Sequence, residues 1–288
     1  MDNVHIVKYL LTGATGFVGS FFRSKLDSQN TVFTSKSGGE GIQPLDLTNL
    51  NDLTTFFATY RPSVLIHIAG NKDVNFCEKH PEEARKVNVL ATSYLVELCK
   101  QYGTKFVYLS TDYVFDGKRG NYKEGDLPIP SSEYGKMKLE SEKIIETSGI
   151  DHIIIRSGAL YGKNGKFYQW AVSSLKEGVE IEALTDSYFT PTLLDDLYEV
   201  TLKLLSIHFN GIVHIVGKNK VSRFQMISKI AESLGISNPK LKPISIAESG
   251  LFFLPDLSLC PDKLNQELNI YTHSLEEGLE YLAKVSTG

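Results

Sequence analysis

Short, continuous apolar runs alternate with longer amphipathic stretches through the first half of the chain. The runs are His5 to Leu11, Thr31 to Thr34, Val64 to His67, Lys105 to Leu109 and His152 to Ile155. Each is rich in β-branched residues and too short for a helix, so each reads as a strand buried on both faces. Between them, segments of helical period run from about Val18 to Asp27, Leu50 to Tyr60, Glu82 to Tyr102 and Glu133 to Thr147. Regular β-α alternation requires crossover helices and therefore a parallel sheet, which predicts an α/β fold of the Rossmann type, doubly wound. After Ser157 the rhythm changes to a Gly-rich turn (GKNGK), a helix through Trp170 and the short segment EIEAL. A strand at GIVHIV and helices over about Arg223 to Leu234 and Leu275 to Ala283 carry folded structure nearly to the end. The expected organisation is a sheet domain over 1–157 and a smaller C-terminal substrate lobe over 158–288, with segments returning to the first domain.

Composition narrows the partners. The 288 residues are 42% hydrophobic and 22% charged, an ordinary globular balance. A formal net charge of -4 argues against nucleic acid, whose binders carry a basic excess. No run approaches the roughly 20 apolar residues that cross a bilayer, and MDNVHIVKYLLTG leads straight into the first strand, so a cytoplasmic protein without membrane contact is expected. The three Cys are odd in number and widely spaced, and the seven His are scattered, so neither a disulfide framework nor a metal site is expected.

The first candidate chemistry follows the first strand. Gly13, Gly16 and Gly19 are spaced GxxGxxG at a strand-to-helix junction, with Thr15, Phe17 and Val18 between and beside them. Glycine there permits a tight turn, lets backbone N–H groups approach a pyrophosphate and leaves room for the helix to pack on the strand. The second strand ends at Ser35, Lys36 and Ser37 without the acid that would hold a ribose 2′-hydroxyl. A cation with two hydroxyls suits a 2′-phosphate, so NADP is expected and NAD is the alternative; otherwise Lys36 is a solvated loop residue. Asp46, beside Leu47, reads as a contact to the adenine amino group or as the cap of the following helix.

Of the 14 Tyr, only Tyr134 has a Lys four residues on, Lys138, inside SSEYGKMKLESEK. Residues i and i+4 share a helix face. The fourth strand leads into Ser110-Thr111 at the carboxyl edge, where open α/β sheets bind ligands. Reduction of a carbonyl needs a proton donor at the nascent alkoxide, and a phenol serves when its pKa moves toward neutrality. The Lys138 ammonium, with the positive charge of an oxidised nicotinamide, is expected to supply that shift, while the Thr111 hydroxyl orients the substrate oxygen. The alternative is an exposed helix pair beside a strand end.

These residues resemble the extended short-chain dehydrogenase/reductases, and within them the dTDP-4-dehydrorhamnose reductase branch. The likeness rests on LSTDYVFDG (109–117), YGKMK (134–138), HIAGNKDVNFCEKHPEEARKVN (67–88), IIIRSGALYG (153–162), TDSYFTPT (185–192) and HIVGKNKVSRF (214–224). It implies NADPH-dependent reduction of a nucleotide-linked 4-keto-6-deoxysugar, with Thr111, Tyr134 and Lys138 as catalytic triad. It also implies cofactor contacts at Ala69, Gly70 and Asn88, and a substrate rim at Asn71, Lys72 and Asp73. Family members sometimes form homodimers. Two departures stand out: Ala159 replaces a Trp that helps define the sugar pocket, and Leu254 replaces an Arg before Pro255. Arg156 and Arg223 are candidates for a diphosphate or for structural ion pairs. Phe167, Trp170 and Tyr188 are candidates for a sugar pocket or for the core. Two other activities use the same motifs, a sugar-nucleotide epimerase and an NAD(P)-binding regulatory subunit like that of methionine adenosyltransferase.

Overall fold

The structure, a computed structural model, describes residues 8–285. Two structural units make up the chain, the first comprising 1–114, 130–155 and 209–212, the second 115–129, 156–208 and 213–288. Of the first expected strand, His5 to Val7 lie outside the described residues.

The first unit alternates as the hydrophobic pattern predicts. In chain order it contains β1 (Tyr9–Thr12), α1 (Phe17–Lys25), β2 (Thr31–Ser35), β3 (Gln43–Pro44), α2 (Leu50–Tyr60), β4 (Val64–His67), α3 (Val74–Lys79) and α4 (Pro81–Arg85). After a π-helical turn over Lys86–Leu90 come α5 (Ala91–Tyr102), β5 (Lys105–Thr111), α6 (Glu133–Thr147) and β6 (His152–Ser157), whose last residues belong to the second unit. The helix expected over Glu82 to Tyr102 is thus broken. The wider turn leaves the Asn88 carbonyl outside the regular ladder, and the hydroxyls of Thr92 (3.0 Å) and Ser141 (2.7 Å) donate to it. Gly103, at φ 68°, ends α5 in the left-handed conformation that favours glycine.

The second unit adds β7 (Leu160–Tyr161), α7 (Lys166–Lys176), β8 (Ile181–Leu184), β9 (Tyr188–Phe189), β10 (Thr192–Leu193), α8 (Leu194–Ser206) and β11 (Gly211–Ile215), the last beginning in the first unit. It continues with β12 (Val221–Ser222), α9 (Arg223–Ser233), β13 (Leu241–Ile244), α10 (Ile246–Ser249) and α11 (Leu275–Val285). Three two-stranded ladders, β7 with β10, β8 with β13 and β9 with β12, accompany a core of Ala171, Ile181, Met226, Ile230 and Leu279.

The main sheet has seven strands in the order β11-β6-β5-β4-β1-β2-β3, with parallel pairing from β5 across to β3. Strand order reverses between β1 and β4, which makes their carboxyl ends the switch point where this fold binds ligands. The register sets Thr12 beside His67 and His67 beside Tyr108, so β1 and β4 end at one level and β5 runs three residues beyond it to Thr111. Below them lies the first unit's core of Leu10, Leu53, Phe57, Leu65, Leu95 and Phe106, all without solvent contact. No helix among the described residues is long and apolar enough to cross a membrane.

Phe57 fixes α2 in that core. Truncation of a fully buried Phe leaves a cavity as well as lost burial, so Phe57→Ala should destabilise the protein by ~3–5 kcal/mol, read as a lower urea midpoint. A midpoint shift worth less than ~1 kcal/mol would contradict the packing described.

Candidate functional site

The glycine turn is shaped by contacts that exclude side chains. Gly13 has φ +76°, and a Cβ there would lie 2.8 Å from the Ala69 nitrogen. At Gly19 a Cβ would lie 2.0 Å from the Gly13 carbonyl oxygen, so α1 approaches the β1 turn as closely as backbone allows. Gly16 precedes α1 as its N-cap, with no side-chain cap bond and no acidic residue in the first turn. The open amides and positive end of this nine-residue helix therefore face outward beside exposed Thr15, with Phe17 and Val18 half-buried. Such close backbone approach and open amides are what the binding of a dinucleotide pyrophosphate requires.

At the end of β2, Ser35 is buried and its hydroxyl donates to the Gly38 carbonyl at 3.3 Å. Lys36 is largely exposed and pairs with Asp46 at 3.1 Å. Asp46 also accepts from the Thr48 hydroxyl (2.7 Å) and backbone N–H (2.9 Å), and these bonds with the Lys36 charge hold its carboxyl below the usual range. The cap of α2 is Asn49, which accepts from the amides of Asn51 and Asp52, so Asp46 is not the helix cap. Leu47 is a buried member of the core.

Beyond β4, Asn88 organises the next loop. Its side-chain carbonyl accepts from the Asn71 N–H at 2.7 Å and its amide donates to the Asn71 carbonyl at 2.9 Å. The Asn88 amide is buried and spent on backbone, so it shapes the Gly70-Asn71 segment while Lys72 and Asp73 reach solvent. Asp73 caps α3 by accepting from the Phe76 N–H at 3.0 Å. His67 ties this loop to β1. The Ala69 N–H donates to the Thr12 hydroxyl (3.3 Å), and the Thr92 hydroxyl gives its proton to the Asn88 carbonyl. His67 Nδ1 must then accept from Thr12 (2.8 Å) and Nε2–H donate to Thr92 (3.3 Å), which assigns the neutral ring one tautomer.

The catalytic candidates meet at the end of β5. Ser132 caps α6, accepting from the Gly135 N–H at 3.1 Å, and a Cβ on Gly135 would lie 2.1 Å from the Tyr113 carbonyl oxygen. That contact seats Tyr134 near Thr111, whose hydroxyl acts to lower the phenol pKa and donates its proton to Asp112 at 2.9 Å. Lys138, one turn on, is buried; its Nζ donates to the Leu109 carbonyl at 2.6 Å and lies 3.9 Å from the Tyr108 ring centroid. The expected lowering of the phenol pKa is absent from the protein by itself. Burial raises the Tyr134 pKa, Asp112 raises it further, and the nearby Thr111 hydroxyl only partly offsets them. Burial also brings Lys138 down to about 7, against the opposing pull of Glu142. Neither shift was foreseeable from spacing, because both come from desolvation.

The remaining candidates belong to the second unit. Arg156 is buried with its guanidinium 5.2 Å from the Phe115 ring and 3.5 Å from the Glu124 carbonyl. Arg223 lies over two rings, Phe189 at 5.3 Å and Phe253 at 4.7 Å. Trp170 is half exposed on α7, 5.6 Å from Phe167, which packs against the unit's core. Tyr188 lies under the Lys220 ammonium, 5.0 Å away. Leu254 packs on Gly117, where a Cβ would come within 2.6 Å of it. Sequence reasoning missed Ser132, Gly135 and His67, for which the only signals are a Ser three residues before a Gly and a lone His inside an apolar strand. Among the described residues no group of His, Cys, Asp and Glu is arranged to hold a metal ion.

Residues 7–251 match the family described as RmlD substrate binding domain. A probable low-salt glycan biosynthesis reductase of Haloferax volcanii, Agl14, is 32% identical over 238 residues, covering 78% of this chain and 79% of that protein. Methionine adenosyltransferase 2 subunit beta of Bos taurus is 28% identical over 84% of this chain and 77% of its own. The crystal structure of dTDP-4-dehydrorhamnose reductase from Bacillus anthracis, in complex with NADP, superposes with a TM-score of 0.87 at 27% identity, covering 97% of this chain and 99% of that one.

Burial, aided by the Lys138 charge, keeps the His67 pKa down at about 3. The unfolded chain takes up that proton near pH 6.5 and the folded chain only near pH 3, so acid favours unfolding through this window. His214, also buried and lowered to about 3, acts with the same sign. Replacement His67→Gln should therefore flatten, without abolishing, the fall of the urea midpoint between pH 6.5 and pH 4. Equal slopes in the two proteins would contradict a buried neutral His67.

Proposed function

Because the chain belongs to the RmlD substrate-binding-domain family, we propose that it is an NADPH-dependent reductase of a nucleotide-linked 4-keto-6-deoxysugar. The observation that carries this reading is the convergence of Thr111, Tyr134 and Lys138 at the carboxyl end of β5, beside a glycine cradle built for a dinucleotide. When bound, the reduced nicotinamide supplies the hydride for the carbonyl carbon. The protein's own part is to bind, orient and move a proton.

The α1 amides and the Gly13 turn receive the pyrophosphate. Lys36 and Ser35 receive a 2′-phosphate, the Lys36 amine exchanging its carboxylate partner Asp46 for a doubly charged group. Thr111, close enough to the phenol to lower its pKa, orients the substrate oxygen against the Tyr134 hydroxyl. A phenol whose pKa is raised by burial is fully protonated at neutral pH, so Tyr134 holds the proton that the alkoxide oxygen takes. Lys138, with its pKa brought to about 7, is poised to stabilise the phenolate left behind as a cation and to exchange a proton near neutrality. Asn71 and Lys72, on the loop that Asn88 pins, rim the substrate side of the first unit. In the second unit Arg223 and Tyr188 are the proposed contacts to nucleotide and sugar.

A second reading, an NADP-binding regulatory subunit, is favoured by the similarity to methionine adenosyltransferase 2 subunit beta. The presence of Ala159 and Leu254 at two expected pocket positions also favours it. Turnover of any ketosugar nucleotide with NADPH excludes that role as the sole function.

Two substitutions test the leading reading. Removing the phenolic oxygen in Tyr134→Phe should lower kcat by ~10²-fold or more while calorimetry shows NADPH binding retained; undiminished turnover would discard the mechanism. Exposed Lys36 makes one charge-assisted contact, so Lys36→Ala should weaken NADPH by about tenfold and leave NADH unchanged. Equal loss for both cofactors would remove Lys36 from the 2′-phosphate site.

A further inference from the structure

Three consecutive residues of β5 meet three residues of α6 spaced four apart. Leu109 accepts from Lys138, Ser110 donates to Glu142 Oε1 at 2.5 Å, and Thr111 lies close enough to Tyr134 to lower its pKa. Positions 134, 138 and 142 share one helix face, and that face is turned to the strand. Ser110 and Glu142 are both buried, Glu142 with no solvent contact at all. A carboxylate in that position is costly unless a hydroxyl and a nearby cation compensate it. Ser110 supplies the hydroxyl, and the buried amine one turn away on the same face supplies the cation.

We propose that Glu142 is a positioning residue of the reductase site, anchored by Ser110, whose negative charge keeps the Lys138 amine in its cationic form. The groups facing Lys138 leave few others for that task. From α6 comes Glu142; from β5 the Tyr108 ring and the Leu109 carbonyl; from β4 His67, held neutral partly by the Lys138 charge itself. Asp112, the acid at the end of β5, acts on Tyr134 and raises its pKa. Glu142 is the carboxylate that opposes the desolvation of Lys138, which has already brought the amine to about 7. Without it, burial and neutral contacts would leave Lys138 uncharged at neutral pH, and Tyr134 would lose the cation that stabilises its phenolate.

The inference rests on the role assigned to Lys138 above, and its test does not need turnover. In the full chain without cofactor, labelled with 13C at the lysine ε-carbon, the NMR signal missing from Lys138→Met identifies this side chain and reports its titration. Glu142→Gln, isosteric but uncharged, should lower the Lys138 midpoint by about one pH unit or more, and Ser110→Ala, which keeps the carboxylate, by less than about half a unit. In the active enzyme the alkaline limb of kcat/KM should move to lower pH in step with the NMR midpoint. An unchanged midpoint in Glu142→Gln overturns the proposal, as does an equal shift in Ser110→Ala, which would mark a general loosening of the helix. If circular dichroism shows Glu142→Gln unfolded, Glu142→Asp is read instead: a midpoint below wild type supports the proposal and an unmoved one overturns it. Absence of wild-type turnover toward ketosugar nucleotides would remove the reductase reading and leave the midpoint comparison standing.

Discussion

The first unit turns on a close fit between one helix and one strand end. Gly135 lets α6 press its backbone against Tyr113, and a side chain there would overlap the Tyr113 carbonyl oxygen. From that contact the spacing of the helix sets everything downstream. Tyr134 reaches Thr111, Lys138 reaches the Leu109 carbonyl and Glu142 reaches Ser110. Each of these polar groups sits where water is largely excluded, so each needs its partner: an unpaired donor or charge there would cost ~1–3 kcal/mol or more. The placement of the candidate catalytic residues and the stability of the helix–strand contact therefore depend on the same bonds, from Lys138 to Leu109 and from Ser110 to Glu142.

A second close approach, Gly19 against the Gly13 carbonyl, sets the cofactor side, and His67 joins the two. Its ring accepts from Thr12 beneath the glycine turn and donates to Thr92, whose hydroxyl holds the Asn88 carbonyl in the π-helical turn. Asn88 in turn fixes both backbone groups of Asn71. The chain of bonds runs from β1 through β4 to the loop that rims the site, and it requires a neutral imidazole throughout. Burial of the ring against Tyr108 and Phe106 supplies that condition.

Much of this was legible in the sequence, for reasons that differ by residue. The strands appear because both faces of a parallel sheet are covered, which leaves uninterrupted runs such as VLIH at 64–67. Gly13 and Gly19 announce themselves because a side chain at either would collide with backbone, and the Tyr134–Lys138 spacing stands out by its place after the strand that ends at Thr111. Glu142 is invisible by the same logic, since a Glu on an amphipathic helix reads as surface, and only its strand partner Ser110 makes it buried. The π-helical turn is hidden because one extra residue hardly disturbs the hydrophobic period over 82–102. The pKa directions of Tyr134 and Lys138 come from desolvation, a property of three-dimensional packing that spacing does not encode. The excursion of 115–129 into the second unit is a Gly-rich, charged stretch that reads as a loop, and nothing in it says which unit it joins.

The division of labour between the units bears on what the enzyme recognises. The candidate proton-transfer residues and the glycine turn all lie in the first unit, where backbone contacts leave little freedom to vary them. The two departures from the family pattern, Ala159 and Leu254, both lie in the second. Leu254 is more than a missing cation: its side chain packs on Gly117, and its carbonyl accepts from the Ser187 hydroxyl at 3.2 Å, next to Tyr188. Asp256, two residues on, accepts from Ser258 at 2.6 Å and pairs with Lys220, the cation over Tyr188. Apolar packing and an internal ion pair thus occupy a segment where an outward-facing Arg was expected. On the function proposed above, the segment around Leu254, Tyr188 and Lys220 is where substrate selection would depart from the family pattern, while the chemistry assigned to the first unit would be unchanged.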